Sequence, residues 1–144
     1  MSSDKPDNEN PSIVSHVSFG TNDLDAAVAF YDTVLATLGI TQVLCIDGFA
    51  VAYGKQYPEF WIQRPHDGKA ATVGNGMHIG FIADNQQQVK DFHQAALIAG
   101  AQDDGAPGPR PDYGEPYYGC FIRDPDGNKI EAAFWDFTKP QPTA

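Results

Sequence analysis

The sequence has few basic residues and few cysteines. Nine of its 144 residues are Lys or Arg against nineteen Asp or Glu, which gives a formal net charge of −10. The basic residues are scattered along the chain, so a nucleic-acid backbone or an anionic membrane is not expected as a partner. Cys45 and Cys120 both lie in apolar runs and do not form a disulfide framework. Both are predicted to be core residues of a cytoplasmic protein.

Long apolar stretches are also missing. No run approaches the roughly 20 residues that a membrane-spanning helix needs. The polar start MSSDKPDNENPS lacks the apolar centre of a signal peptide. Residues 1–11 are interpreted as a disordered lead-in, residues 12–137 as one globular domain and residues 138–144 as a C-terminal tail.

The predicted elements occur twice in nearly the same order. From about residue 12 to 66, the strand IVSHVSF precedes an amphipathic helix and strands at 42–46, 49–53 and 60–63. From about residue 75 to 137, the strand MHIGFIA precedes a second helix and the strands YYGCFIRD and KIEAAFW. The segment DDGAPGPRPDYGEP, rich in Pro and Gly, is predicted to be a loop. The pattern predicts an α+β fold of two tandem βαβββ modules.

Three residues that can bind a metal occupy corresponding strands. Overlaying the modules aligns His16 with His78, and Glu131 lies in the last strand. Side chains alternate across a strand, so small residues such as Gly80 share the face of His78 and leave space beside it. Two imidazoles and one carboxylate form a ligand set used by divalent ions with open positions for substrate. A histidine or glutamate satisfied by hydrogen bonds in the core remains the alternative at each position.

The chain resembles the vicinal-oxygen-chelate superfamily, which includes glyoxalase I, bleomycin- and fosfomycin-resistance proteins and extradiol dioxygenases. The resemblance rests on HVSFGTNDLDAAVAFYDTVLATLGI, GNGMHIGFIADNQQQVKDFHQAALIAGA and FIRDPDGNKIEAAF, and it covers about residues 12–137. It implies paired modules that form an open, incomplete barrel around a divalent ion such as Fe, Zn, Ni or Mn. It also implies that His16, His78 and Glu131 are the ligands.

Further site residues follow from the resemblance and from side-chain chemistry. Glyoxalase I is expected to supply a fourth ligand from the last strand of module one, where Gln63 is the nearest candidate and Trp61 shares its face. Arg64 and Arg110 can bind a carboxylate or phosphate, and with Trp61 they are the candidate substrate-binding residues. The candidate catalytic residues are Glu131, which is also a predicted ligand, and the hydroxyl donors Tyr113 and Tyr118, with Tyr117 as the alternative to Tyr118.

These observations predict a metal-dependent lyase, isomerase or ring-cleaving dioxygenase that acts on a small oxygen-bearing substrate. A glutathione substrate is not expected, because SFGTNDL lacks the Arg that glyoxalase-type enzymes present there. The alternative is a metal-free ligand-binding protein of the bleomycin-resistance type. A homodimer is expected, since the open sheet edges of such modules invite pairing between chains.

Overall fold

The computed structural model describes residues 11–140, so most of the two predicted tails lies outside the described part of the chain. Module one contains one helix and four strands. In chain order they are β1 (Val17–Gly20), α1 (Leu24–Ala36), β2 (Thr41–Ile46), β3 (Ala50–Gly54) and β4 (Phe60–Gln63). The first strand is shorter than predicted, and His16 lies immediately before it rather than within it.

Module two repeats this order. Its elements are β5 (His78–Ile82), α2 (Gln86–Ile98), β6 (Gln102–Gly108), a short 3-10 turn at Pro111–Tyr113, β7 (Tyr117–Arg123) and β8 (Lys129–Trp135). The prediction of a loop over DDGAPGPRPDYGEP was wrong at its start, where β6 pairs with β7 through two register shifts. Because β6 is the edge strand of its sheet, Pro107 and the bulges are tolerated there.

The two modules form two separate four-stranded sheets. The strand orders are β1-β4-β3-β2 and β5-β8-β7-β6, so each module builds its own sheet. In both, the first strand runs parallel to the last and the other pairs are antiparallel. Among residues 11–140 the sheets do not close into a barrel, which confirms the predicted α+β fold of tandem modules. No helix in this range is long and apolar enough to cross a membrane.

The helices begin where the sequence offers a capping side chain. Asp23 accepts from the backbone N of Ala26 at 3.1 Å, and Asn85 accepts from that of Gln88 at 2.8 Å. Gly39 and Gly100 follow the helix ends with φ of 74° and 105°, a conformation that glycine adopts without strain.

The core lies between the helices and the inward faces of the sheets. Aromatic rings join the modules there: Phe60 of module one lies 5.1 Å from Phe81 of module two, centroid to centroid. Cys120 is buried in this core as predicted, whereas Cys45 is exposed on β2, so the prediction that both are core residues was wrong for Cys45. Every residue of β2 is exposed, so the apolar residues next to Cys45 in this strand are exposed as well.

Candidate functional site

The outward face of the second sheet brings His78 and Glu131 together. In the parallel pairing of β5 with β8, Gly80 lies opposite Glu131, and His78 lies one row away on the same face. His78 Nε2 is 3.1 Å from Glu131 Oε1. The His78 side chain is 48% exposed, whereas Glu131 is 9% exposed. The pair therefore joins a buried carboxylate to an imidazole that reaches solvent.

Gly80 leaves room beside the carboxylate. A Cβ added at this position would lie 3.1 Å from Glu131 Oε1, closer than ordinary van der Waals contact. The small residue predicted to share the face of His78 thus borders the carboxylate directly. A groove of about 660 Å³ runs along this side of β5, lined by His78, Gly80 and Ile82 together with the segment around Val14.

The second carboxylate oxygen of Glu131 has its own partner. Tyr117 Oη donates to Glu131 Oε2 at 2.5 Å, although the two residues are not opposite each other in the sheet. The Tyr117 ring lies across Gly119, where an added Cβ would be 2.1 Å from Tyr117 Oη. The absence of a side chain at Gly119 is therefore what allows the hydroxyl to reach Glu131.

The surroundings keep Tyr117 protonated. Burial raises the pKa of the Tyr117 hydroxyl well above its usual value, and the neighbouring Glu131 carboxylate raises it further. The rings of Tyr113 and Trp135 pack edge-on against Tyr117, with centroids 4.9 and 5.1 Å away. Tyr117 thus acts as a fixed hydrogen-bond donor to the carboxylate.

His16 lies away from this pair. It is exposed just before β1 of the first sheet, and its Nδ1 is 3.0 Å from Ser15 Oγ. Among residues 11–140, no group of three or more His, Cys, Asp and Glu side chains is placed to hold a metal ion. Within one chain, the structure therefore assembles two members of the predicted ligand set, His78 and Glu131.

The other candidate residues divide between the two modules. Gln63 and Trp61 share a face of β4 in the first sheet, and Trp61 Nε1 donates to the Pro58 carbonyl at 3.2 Å. Arg64 is exposed and lines a separate cavity of about 370 Å³ with His66 and Lys69. The structure does not place these residues beside Glu131.

In module two, the candidate tyrosines and Arg110 differ in how they are placed relative to Glu131. Tyr118 lies on the opposite face of β7 and packs against the core, so the hydroxyl donor to Glu131 is its neighbour Tyr117. Tyr113 reaches the site through its ring contact with Tyr117. The Arg110 guanidinium donates to the carbonyls of Ala106, Gly108 and Pro109, so its donors already serve to shape the loop after β6.

Comparison with known proteins agrees with this architecture. The profile of the Glyoxalase/Bleomycin resistance protein/Dioxygenase superfamily matches residues 13–132. The crystal structure of a glyoxalase/bleomycin resistance protein from Albidiferax ferrireducens T118 is similar at 39% identity, covering 85% of this chain and 98% of that one, with a TM-score of 0.77. None of the curated proteins matches the sequence significantly.

More distant solved structures share the fold. A glyoxalase-related enzyme from Fulvimarina pelagi is 21% identical with a TM-score of 0.66, covering 84% of this chain and 86% of its own. Lactoylglutathione lyase from Agrobacterium tumefaciens is 24% identical with a TM-score of 0.61, covering 88% of this chain and 95% of its own.

Two βαβββ modules that each build their own four-stranded sheet define the fold class as glyoxalase-like. The chain belongs to the Glyoxalase/Bleomycin resistance protein/Dioxygenase superfamily, which the profile match over most of its length shows. This confirms the family and the fold that the sequence segments predicted.

Proposed function

We propose that this protein is a divalent-metal-dependent enzyme that acts on a small oxygen-bearing substrate, as a lyase or a dioxygenase. The observation that supports this most is the pairing of His78 with Glu131 at 3.1 Å on an open face. A carboxylate that is 9% exposed is costly to bury unless a cation or hydrogen-bond donors compensate it. Imidazole nitrogen and carboxylate oxygen are donors that Fe, Zn, Ni and Mn accept, so the pair fits such an ion.

The residues of this chain would then have distinct tasks. A bound divalent ion supplies Lewis acidity that polarises a substrate oxygen. Glu131 Oε1 and His78 Nε2 would hold the ion, while Tyr117 holds the other oxygen of Glu131 in place. Gly80 has no Cβ to crowd Oε1, so the carboxylate can lie close to β5.

The third ligand in this proposal is the partner subunit's His16. His16 of the same chain is exposed and lies just before β1 of the other sheet. β1 and β5 are both edge strands, and exposed apolar side chains accompany them, including Ile13, Val14 and Ile82. Such an edge is suited to burial against a second copy.

The two free cysteines fit a reducing cytoplasmic location.

Metal analysis of untagged protein tests the proposal. We expect wild-type protein to retain a divalent metal, and His78→Ala and Glu131→Ala to lose most of it. His66→Ala is the matched control, since His66 is an exposed loop histidine and should leave the metal content unchanged.

Equal, near-zero metal in all four proteins, also after incubation with Fe, Zn, Ni or Mn, contradicts the proposal. The metal-free binding protein is then the better account, and the groove of about 660 Å³ is its expected ligand site. Saturable ligand binding that is insensitive to chelator, without turnover, identifies that outcome.

A further inference from the structure

The site face of the second sheet holds a concentration of positive charge. Across the sheet, the row of His78 continues through Lys129 of β8 to Arg123 of β7. The adjacent row contains Gly80, Glu131 and Phe121, two residues or about 7 Å along the strands. Lys129 and Arg123 therefore lie beside the His78–Glu131 pair rather than elsewhere on the surface.

The Phe121 ring lies next to Lys129 and next to a further cation, Arg110. The Lys129 ammonium lies 4.9 Å from the centroid of the Phe121 ring, and the Arg110 guanidinium carbon lies 5.8 Å from it. The imidazole of His78 is 6.1 Å from the same ring. We call Arg110, Arg123 and Lys129 the cationic cluster. It contains three of the nine basic residues of a chain whose net charge is −10.

One carboxylate is shared within the cluster. Asp104 Oδ2 lies 3.1 Å from Arg123 Nε and 3.4 Å from Lys129 Nζ. A single carboxylate cannot balance three cations, and Glu131 offsets one more charge without removing the excess. The Lys129 side chain is 31% exposed, so its ammonium remains accessible to a ligand. Three cations against Asp104 and Glu131 leave a local excess of one positive charge on a chain whose net charge is −10.

We propose that the cationic cluster is an oxyanion subsite, which binds the carboxylate or phosphate group of the substrate through Lys129. This proposal rests on the proposed function, since it places the anionic group about 7 Å from the row of Glu131. It narrows the substrate class to small organic anions. It argues against the cationic ligand that the acidity of the chain would otherwise favour.

Titration of metal-free, isotopically labelled protein with inorganic phosphate and with benzoate, followed by NMR, tests the subsite. Chloride at equal ionic strength is the baseline. We expect saturable shifts confined to residues 78–82, 104–110 and 121–131. Lys129→Gln should weaken binding about tenfold, because a charge-assisted hydrogen bond is lost. Lys90→Gln, an exposed lysine on α2, removes the same charge elsewhere and should change nothing.

A second pair of variants tests the opposite direction. Asp104→Asn removes the competing carboxylate and should strengthen binding by about threefold. Asp91→Asn on α2 is its control. Saturation by phosphate alone identifies a phosphate-bearing substrate, and saturation by benzoate alone identifies a carboxylate; both support the subsite.

The proposal is overturned if neither probe binds better than chloride, or if Lys129→Gln and Lys90→Gln weaken binding equally. The titration contains no metal, so a failed metal assay leaves it unaffected. The two proposals can therefore fail separately.

Discussion

The two carboxylate oxygens of Glu131 have different neighbours. Oε1 faces the exposed His78 imidazole, and Oε2 accepts from the buried Tyr117 hydroxyl. The residues that support a metal ligand from behind fix its orientation and tune its basicity. The sequence shows two adjacent tyrosines, which must lie on opposite faces of β7. Which of them faces Glu131 depends on the register of β7 with β8.

Removing the Tyr117 hydroxyl tests its role as the support of Glu131. We expect Tyr117→Phe to weaken metal binding by about tenfold, in the range usual for such supporting residues. Tyr118→Phe is the matched control on the opposite face of the strand. Competition with a fluorescent chelator measures both affinities.

A second variant disturbs the hydrogen bond between Tyr117 and Glu131 without changing either residue. Gly119→Ala places a Cβ where the Tyr117 hydroxyl now lies, so it should weaken metal binding in the same direction. Wild-type affinity in Tyr117→Phe would show that the hydrogen bond to Oε2 does not matter for the metal.

At the scale of elements, the turn between β7 and β8 links the two modules. The Asp124 carboxylate accepts from Tyr31 Oη of α1 at 2.5 Å, and Asp126 accepts from Thr21 Oγ1 at 2.6 Å. Asn128 Nδ2 also donates to Asp124, at 3.0 Å. The motif DPDGN, in the turn before β8, thus fastens module two to α1 and to Thr21 just before that helix.

Tyr31→Phe tests this link through stability and its dependence on pH. Burial raises the pKa of Asp124, while the bonds from Tyr31 and Asn128 lower it and favour the ionised form. A raised carboxyl pKa means that stability falls as the pH rises through it. Loss of the Tyr31 hydroxyl raises this pKa further, so the fall in stability continues to a higher pH and is larger in total.

We expect Tyr31→Phe to lower the free energy of unfolding by about 1–3 kcal/mol at neutral pH. The loss should shrink as the pH falls and Asp124 becomes protonated. Urea unfolding at neutral pH and at a series of lower pH values measures this loss of stability. Tyr57→Phe, at an exposed tyrosine, is the control. A loss that is independent of pH would contradict the role assigned to the Asp124 carboxylate.

The sequence predicted both helices and most strands, because apolar spacing, caps and turn residues act locally. It missed β6, whose composition is that of a loop. The strand exists because β7 pairs with it. The β6 residues in register with β7 are Gln102, Asp103, Gly105 and Gly108. Pairing with a neighbour, rather than local preference, decides such an edge strand.

At the scale of the molecule, one chain does not bring His16 together with His78 and Glu131, so the proposed three-ligand site requires a second copy of the chain. In a two-fold dimer each site would combine one His16 with the His78–Glu131 pair of the other copy. The exposed apolar residues beside β1 and β5 give that pairing a surface to bury.

Mixing two inactive variants tests the shared site. His16→Ala and His78→Ala should each lose metal on their own. Refolded together, they form heterodimers with one intact site, so the mixture should recover about a quarter of the wild-type metal content. Metal content is measured after exhaustive dialysis, with each variant refolded alone as control. No recovery, in mixtures shown to contain heterodimers, would place the whole site within one chain.

The sequence by itself determined the family, the tandem modules and the row of candidate ligands, because repeated apolar periodicity and short motifs are local properties. Tertiary structure decided which candidates meet. Strand register placed Glu131 beside His78, selected Tyr117 over Tyr118, and brought Lys129 and Arg123 alongside the pair. It also left His16 outside the strand that follows it, without a place in the His78–Glu131 pair. These outcomes depend on hydrogen bonding between strands far apart in sequence, which no local pattern specifies.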